Sequence, residues 1–558
     1  MAGERAWTVG AFGTSCVVLV PIIAVAIIAS SSSTEQWAHL TSSVLPGSLK
    51  TTLILMFGVA VLTIVIGVGT AWLTTMCQFP GRGVLDWALL LPLAIPTYIM
   101  AFSYIEVLDY SGPLQSTLRA AMGYQSAKDY WFPDIRTLPG AIYVMGFVLY
   151  PYVYLTTRAS FLLQPNSILD VSRTLGASPY RFFASVALPL ARPAIAVGAA
   201  LALMECLNDI GAVTFFGVRT LTFSVYDMWL NRSNLGGAAQ LSMAMLAMVF
   251  LLIWLERFAR RKQRYDNRTT KQSKQQVFLL TGWRAGLAFL CCGLPVLLGF
   301  IVPALLLADR ASRRLDSVME PSFQNAIFNS LSLAIIAAVL TVIVAVTLVF
   351  SLRLKETPLL KLSVRIASIG YALPGTVLAV GILIPLASLD NFIDFQMERF
   401  FGISTGLLLL GSGAGLLYAY LVRFLAVAYG QVEGGFGKIP KSLDMASRTL
   451  GDASGGMLKR IHLPILKPVL LSALLLTFVD CMKELPATIL LRPFNFDTLA
   501  TTVFEAASRE AFEDAALPAL AIVIVGLLPV IYLARTSGVS LRANLSNKLT
   551  EPTVNRPT

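Results

Sequence analysis

The feature that most restricts this chain is a succession of apolar runs, each long enough to cross a bilayer and separated by short polar or Gly/Pro-rich breaks. A helix of about 20 residues matches the hydrocarbon thickness of a membrane. Requiring a polar break between runs gives about twelve candidate spans. They lie near 9–29, 51–76, 86–108, 139–163, 190–213, 238–258, 280–307, 326–352, 364–388, 404–429, 465–490 and 515–535. Composition agrees, because only 13% of the 558 residues are charged, about half the usual share in a soluble domain. The expected fold is therefore an all-α polytopic membrane protein. A soluble enzyme, a secreted disulfide scaffold and a free nucleic-acid binder are excluded as the main reading. The six cysteines form no Cys-x-x-Cys pair, and His39 and His462 are too far apart in sequence for a histidine motif. The first run has Arg5 ahead of it like a signal peptide, but its length and its place in an even set of spans favour an uncleaved helix.

The net charge of +12 follows from topology. Arg257, Arg260, Arg261, Lys262, Arg264, Arg268, Lys271 and Lys274 crowd the break between the sixth and seventh runs, with Asp266 the one acid from 257 to 276. A basic loop of this kind stays in the cytoplasm, and nothing further is needed to explain it. With an even number of spans on each side, both termini share that compartment. The loops 77–85, 164–189, 353–363 and 430–464 then fall there too, and they carry Arg82, Arg173, Arg181, Arg353, Lys355, Lys361, Lys438, Lys441, Arg448, Lys459 and Arg460.

The two halves repeat each other at a shift of 275 to 278 residues. Ser172-Arg173-Thr174-Leu175-Gly176 recurs unchanged as Ser447-Arg448-Thr449-Leu450-Gly451, and each glycine is followed at the same distance by Leu188-Pro189 or Leu463-Pro464. Glu205 aligns with Asp480, Asp209 with Glu484, and Ala94-Ile95-Pro96 with Ala372-Leu373-Pro374. Six spans per half make the repeats parallel, related by an axis along the membrane normal. The expected organisation is a first six-span repeat over 1–258, a basic linker over 259–278, a second repeat over 279–536 and a tail over 537–558.

These loops resemble those of the permease subunits of bacterial ATP-binding-cassette importers, whose cytoplasmic loop reads roughly Glu-Ala-Ala-x-x-x-Gly and then Leu-Pro. Here the copies run from Asp170-Val171-Ser172 to Gly176 and Pro189, and from Met445-Ala446-Ser447 to Gly451 and Pro464. The glycine and the Leu-Pro spacing are kept, whereas the literal Glu-Ala-Ala is not, and the second copy carries Asp444 one residue early. Each loop reads as two short helical stretches turned by the glycine. Phe182, Phe183 and Val186, with Leu458 and Ile461 in the second copy, are the apolar residues expected to enter a partner's groove. The resemblance implies a cytoplasmic ATPase in two copies, one on each loop, in the inner membrane of a bacterium. Gly-x-x-x-x-Gly-Lys-(Ser/Thr) does not occur in the chain, so ATP and Mg are expected on the partner, with no cofactor held here.

The fifth and eleventh spans each end with two acids on one helical face, at i and i+4: Glu205 with Asp209, and Asp480 with Glu484. A carboxylate at membrane depth costs at least about 2.5 kcal/mol and ordinarily faces a cavity. One reading brings all four to a central ion pathway, where hard oxygen ligands suit a hard cation. The other leaves them at the outer interface, paired with Lys483 or capping the next element. The stretch Met482-Lys483-Glu484-Leu485-Pro486-Ala487-Thr488, continued by Leu491-Arg492-Pro493, resembles the ferric-iron branch of these permeases. That branch typically fuses two halves in one chain and receives its cargo from a periplasmic binding protein. Branches for thiamine, phosphonates and polyamines share the loop signature. The Gly/Pro breaks in the third and ninth spans, including Pro374-Gly375, are expected to be kinks. A twelve-span secondary transporter is the rival class; it leaves the duplicated Gly-to-Leu-Pro loops unexplained.

Overall fold

The computed structural model describes residues 2–31, 34–164, 166–260 and 278–549. The basic run at 261–277 and the final residues 550–558 lie outside the described residues. Nearly every described segment is helical, as hydrocarbon demands, since a helix satisfies its own backbone N–H and C=O groups where no water can. Among the described residues, eleven helices are long and apolar enough to cross a membrane. The pair Arg82–Ala94 and Thr97–Met122, bent by 93° at the break between them, makes twelve when it is counted as one span. The helix Phe512–Leu549 continues through the first part of the stretch expected as a tail. Large apolar side chains such as Phe57, Val65 and Phe328 project outward from the spanning helices, as a lipid-facing surface requires.

The third, fifth, ninth and eleventh spans are not the continuous helices drawn from hydropathy. Ile95 and Leu373 are forced into extended backbone by the prolines that follow, so a 3₁₀ turn ends at Ala94 or Ala372 and a new helix starts at Thr97 or Gly375. The helices Leu188–Asn208 and Leu463–Met482 stop at their acids and give way to the short helices Gly211–Phe215 and Pro486–Leu491. The short helices Leu221–Tyr226 and Leu499–Ser508 follow in equivalent places. Each is pinned alike: the backbone N–H of Leu221 donates to Thr52 Oγ1 at 2.9 Å, and that of Leu499 to Ser330 Oγ at 2.7 Å.

The sequence repeats are not separate bodies in space. The first helix of the chain, Ala2–Ser31, packs on Pro321–Leu354, Pro358–Ala367 and Gly375–Phe401 of the second half. Ser15 donates to the Ser363 carbonyl at 2.8 Å, Ser351 to the Trp7 carbonyl at 2.8 Å, and Tyr418 to the Val17 carbonyl at 2.6 Å. The contact is close enough at Gly381 that a Cβ there would lie 2.2 Å from the Pro21 carbonyl oxygen. Reciprocally, the segment Leu297–Ser312 packs on Thr97–Leu108, where Tyr104 donates to the Leu298 carbonyl at 2.6 Å. Each half thus lends its opening helix to the other, and a continuous core of residues from both halves forms between them.

Candidate functional site

Two features gather the residues singled out in the sequence, the paired loops on one face and a cavity between the halves. The first loop folds as Asn166–Thr174, a turn at Gly176, and Pro179–Phe182; the second as Lys441–Thr449, a turn at Gly451, and Ser454–Met457. Gly176 and Gly451 both have positive φ, +73° and +88°, a region costly for residues with a Cβ. The N–H of Ala177 returns to the Ser172 carbonyl at 2.9 Å and that of Asp452 to the Ser447 carbonyl at 3.1 Å. These bonds close a helix C-terminus around its glycine. A single π turn, Phe183–Ala187 or Leu458–His462, then leads into the span that begins at Leu188-Pro189 or Leu463-Pro464.

The apolar residues expected to enter a partner's groove are partly misassigned. Phe182 and Leu458 are buried within the protein, and Phe183 and Ile461 are half-buried. The Phe182 and Phe183 rings lie 6.0 and 4.9 Å from that of Trp72, so this face of the loop is spent on its own spans. Several apolar groups stay outside, among them Val171, Tyr180 and Met445, and the most exposed are Leu175 and Leu450, 80% and 85% exposed, at equivalent positions just before the two glycines. Asp170 is exposed beside them, whereas Ser172 turns inward to the Ile168 carbonyl and Ser447 to Asp452 Oδ2.

The second loop has an ionic anchor. Arg353 Nε donates to Asp444 Oδ2 at 2.6 Å, and Arg353 Nη2 to the Ile439 carbonyl at 2.9 Å. His462, buried against the Phe350 and Phe436 rings, pairs through Nε2 with Asp444 Oδ1 at 2.9 Å. Burial pushes the Asp444 carboxyl up, but the hydrogen bonds from Arg353 and His462 outweigh it and hold the group below the usual carboxylate range. Neither Arg353 nor His462 stands out in the sequence for this role.

The cavity between the halves is lined by all four acids. Its volume is about 80 Å³, room for a few water molecules. Asp209 accepts from the Thr97 hydroxyl and, at 2.8 Å, from the Ala212 N–H, so it caps the short helix that follows. Glu484 does the same for its helix, accepting from the N–H groups of Ala487 at 2.9 Å and Thr488 at 3.0 Å. Asp480 pairs with Lys483 at 2.8 Å, and Glu205 accepts from the Tyr371 hydroxyl at 2.8 Å. The acids are thus capped or paired locally, and they also face one cavity. They do not close into a ready-made metal cage, since no group of three or more His, Cys, Asp or Glu side chains suited to an ion occurs among the described residues.

Arg423, which sequence analysis passed over, joins the halves at this point. Its Nη1 lies 3.2 Å from Glu484 Oε1 and donates at 2.8 Å to Asn208 Oδ1, which also accepts the Gly375 N–H at 2.7 Å. The break at Pro374 is therefore part of the site rather than a simple kink. A side chain at 375 would meet Arg423 Nη1 at 2.6 Å and Glu484 Oε1 at 2.9 Å, which explains the glycine. Pro96 and Thr97, at the corresponding break of the first half, line the same cavity.

The family described as "Binding-protein-dependent transport system inner membrane component" matches residues 63–265. The molybdenum transport system permease protein ModB of Escherichia coli (strain K12) is 30% identical over 206 residues, which cover 86% of its length and 35% of this chain. The chain belongs to this family of transport permeases. A further relative, the Fe(3+)-transport system permease protein FbpB 2 of Haemophilus influenzae, is 27% identical over 503 residues, 87% of this chain and 89% of its own. That similarity runs through both halves. The sulfate transport system permease protein CysT of Escherichia coli (strain K12) is 29% identical over 203 residues, 36% of this chain and 69% of its own. The permease is thus a component of a transporter that works with a binding protein and an ATPase.

Proposed function

We propose that the permease forms the membrane pathway of an ATP-driven importer for ferric iron. The observation that carries the cargo class is the charge of the cavity, whose lining has four carboxylates against the two cations Arg423 and Lys483. A site of that sign favours a hard cation over an oxyanion such as sulfate. The long similarity to an Fe(3+)-transport permease points the same way. The small space open to water supports a single ion with few waters in preference to a bulky organic solute.

In this reading, ferric ion reaches the outer face on a binding protein and passes between the halves. Two copies of a cytoplasmic ATPase bind ATP and Mg, one seated over Leu175 and one over Leu450, and their approach and separation drive the halves between outward and inward access. Both termini and the loops 164–189 and 430–464 lie on the cytoplasmic side. The experiment is to purify the tagged permease gently from its membrane, determine the intact mass of the complex, and measure ATP-dependent uptake of labelled ferric ion in vesicles. Two ATPase copies per chain and uptake that stops without ATP support the proposal. An isolated chain that takes up solute on an ion gradient refutes it.

A further inference from the structure

The four acids differ in what already occupies them. Asp209 and Glu484 are committed to backbone N–H groups, and Glu484 also to Arg423. Glu205 and Asp480, which occupy equivalent positions in the two repeats, carry no backbone bond among the described residues. The Lys483 ammonium sits against Asp480 and also lies in the field of Glu205 and of the Tyr152 hydroxyl, while Tyr371 joins Glu205 on the other side. A second sign that the cavity is built to receive a ligand is Tyr98. It is 3% exposed and lines the same space, in the field of Asp209 and Glu484, yet its hydroxyl has no hydrogen-bond partner among the described residues.

We propose that Glu205 and Asp480, with the hydroxyls of Tyr152 and Tyr371, form a transit site for a hard multivalent cation, and that Lys483 is a tethered cation that occupies it when cargo is absent. In the empty site the ammonium offsets one of the two carboxylate charges, which lessens the cost of like charges at membrane depth. An arriving ion displaces Lys483 from Asp480, and the returning ammonium helps to expel the ion toward the next step. Two carboxylates and phenol oxygens bind a hard cation more weakly than a closed cage, and weak binding is what passage requires. Lys483 is a positioning residue here and does not hold the ion.

This inference rests on the cation reading of the cavity, and its test is separable from the ferric assignment. The probe is terbium(III), a hard trivalent ion whose luminescence is sensitised by nearby tyrosines, titrated into the full-length permease in lipid nanodiscs. Lys483→Met is expected to tighten terbium binding at least tenfold, because the competitor is gone, and to slow ferric uptake by the assembled importer. Glu205→Gln keeps an acceptor for Tyr371 and leaves the Lys483–Asp480 pair intact, so it tests the site with little burden on folding. It is expected to weaken terbium binding at least tenfold. Unchanged or weaker binding by Lys483→Met, or unchanged binding by Glu205→Gln, overturns the proposal. Absence of ferric uptake by the wild-type importer, with the terbium pattern intact, removes the ferric assignment and keeps the site.

Discussion

The Arg423–Glu484 pair offers a quantitative test of how the halves are joined. Both side chains are almost fully buried, at 7% and 1% exposure, and the guanidinium also holds Asn208 of the opposite half. Removing one partner of a buried pair costs about 3–5 kcal/mol, because the other charge is left uncompensated. Glu484 keeps hydrogen bonds from the Ala487 and Thr488 N–H groups and from the Thr488 hydroxyl, which places Arg423→Met at the low end, about 3 kcal/mol. In Arg423→Met/Glu484→Gln the stranded charge is gone, while the Gln carbonyl oxygen can still take one N–H bond of the cap. The double variant is therefore expected to recover about 1.5–2 kcal/mol relative to additivity. A chain of this size unfolds irreversibly, so the assay is the inactivation half-life in micelles at one temperature. Arg423→Met is expected to shorten it by up to about a hundredfold, and the double variant to regain at least tenfold. Half-lives that combine additively, or a single variant within twofold of the parent, refute the coupling of the buried Arg423–Glu484 pair that holds the guanidinium against Asn208.

Other outcomes follow from the same geometry. Gly451→Pro, which cannot adopt the positive φ of that turn, should abolish ATP-dependent uptake while the protein still reaches the membrane, as read by vesicle uptake against an immunoblot. Leu175→Asp with Leu450→Asp should leave thermal stability unchanged, since both side chains are exposed, but eliminate co-purification of the ATPase. Gly375→Ala drives a methyl into Arg423 and Glu484 and should destabilise the permease by about 1–3 kcal/mol, visible in the same half-life assay. Asp444, held below the usual carboxylate range, should contribute its full stabilisation above about pH 4 and lose it as pH falls through its lower folded value. Hydrogen exchange of 441–462, corrected for intrinsic rate, should then stay level from pH 5 to 8, and Asp444→Asn should raise it throughout.

The repeat and the two loops are legible in the sequence because identity at Ser172–Gly176 and Ser447–Gly451 survives, and because a glycine turn followed by Leu-Pro has a local backbone meaning. Hydropathy does not register the breaks at Pro96 and Pro374, since the residues on both sides are equally apolar. The acids are misread as i and i+4 neighbours on one continuous helix, whereas the helices end at Asn208 and Met482. A signal was present in Glu484-Leu485-Pro486-Ala487, an acid shortly ahead of a proline that opens a helix. Arg423 also had one, being the single charged residue in the run 404–429, and a cation at membrane depth is a functional candidate by default. The exposed Leu175 and Leu450, and the exchange of opening helices, depend on which face meets the rest of the protein. That is a tertiary fact without a local pattern.

The departures from symmetry account for why two halves in one chain suit this cavity. Glu205 and Asp209 recur as Asp480 and Glu484, so acids come equally from both repeats, but both cations come from the second. Lys483 aligns with Asn208, and Arg423 aligns at either shift with an uncharged residue, Val148 or Met145. A symmetric dimer of second halves would set four cations against four acids and leave no attraction for a positive cargo. A symmetric dimer of first halves would bury four acids with no cation at all, at a cost that membrane depth makes severe. Fusion permits the intermediate case of four acids and two cations. It also lets Asn208 of one half receive Arg423 of the other, a contact that neither symmetric arrangement supplies. The Arg353–Asp444–His462 anchor follows the same division, since Thr75, Leu169 and Ala187 occupy the aligned positions of the first half. Duplication thus provides the two-fold frame of the paired loops, and divergence within one chain provides the unequal charges of the cavity.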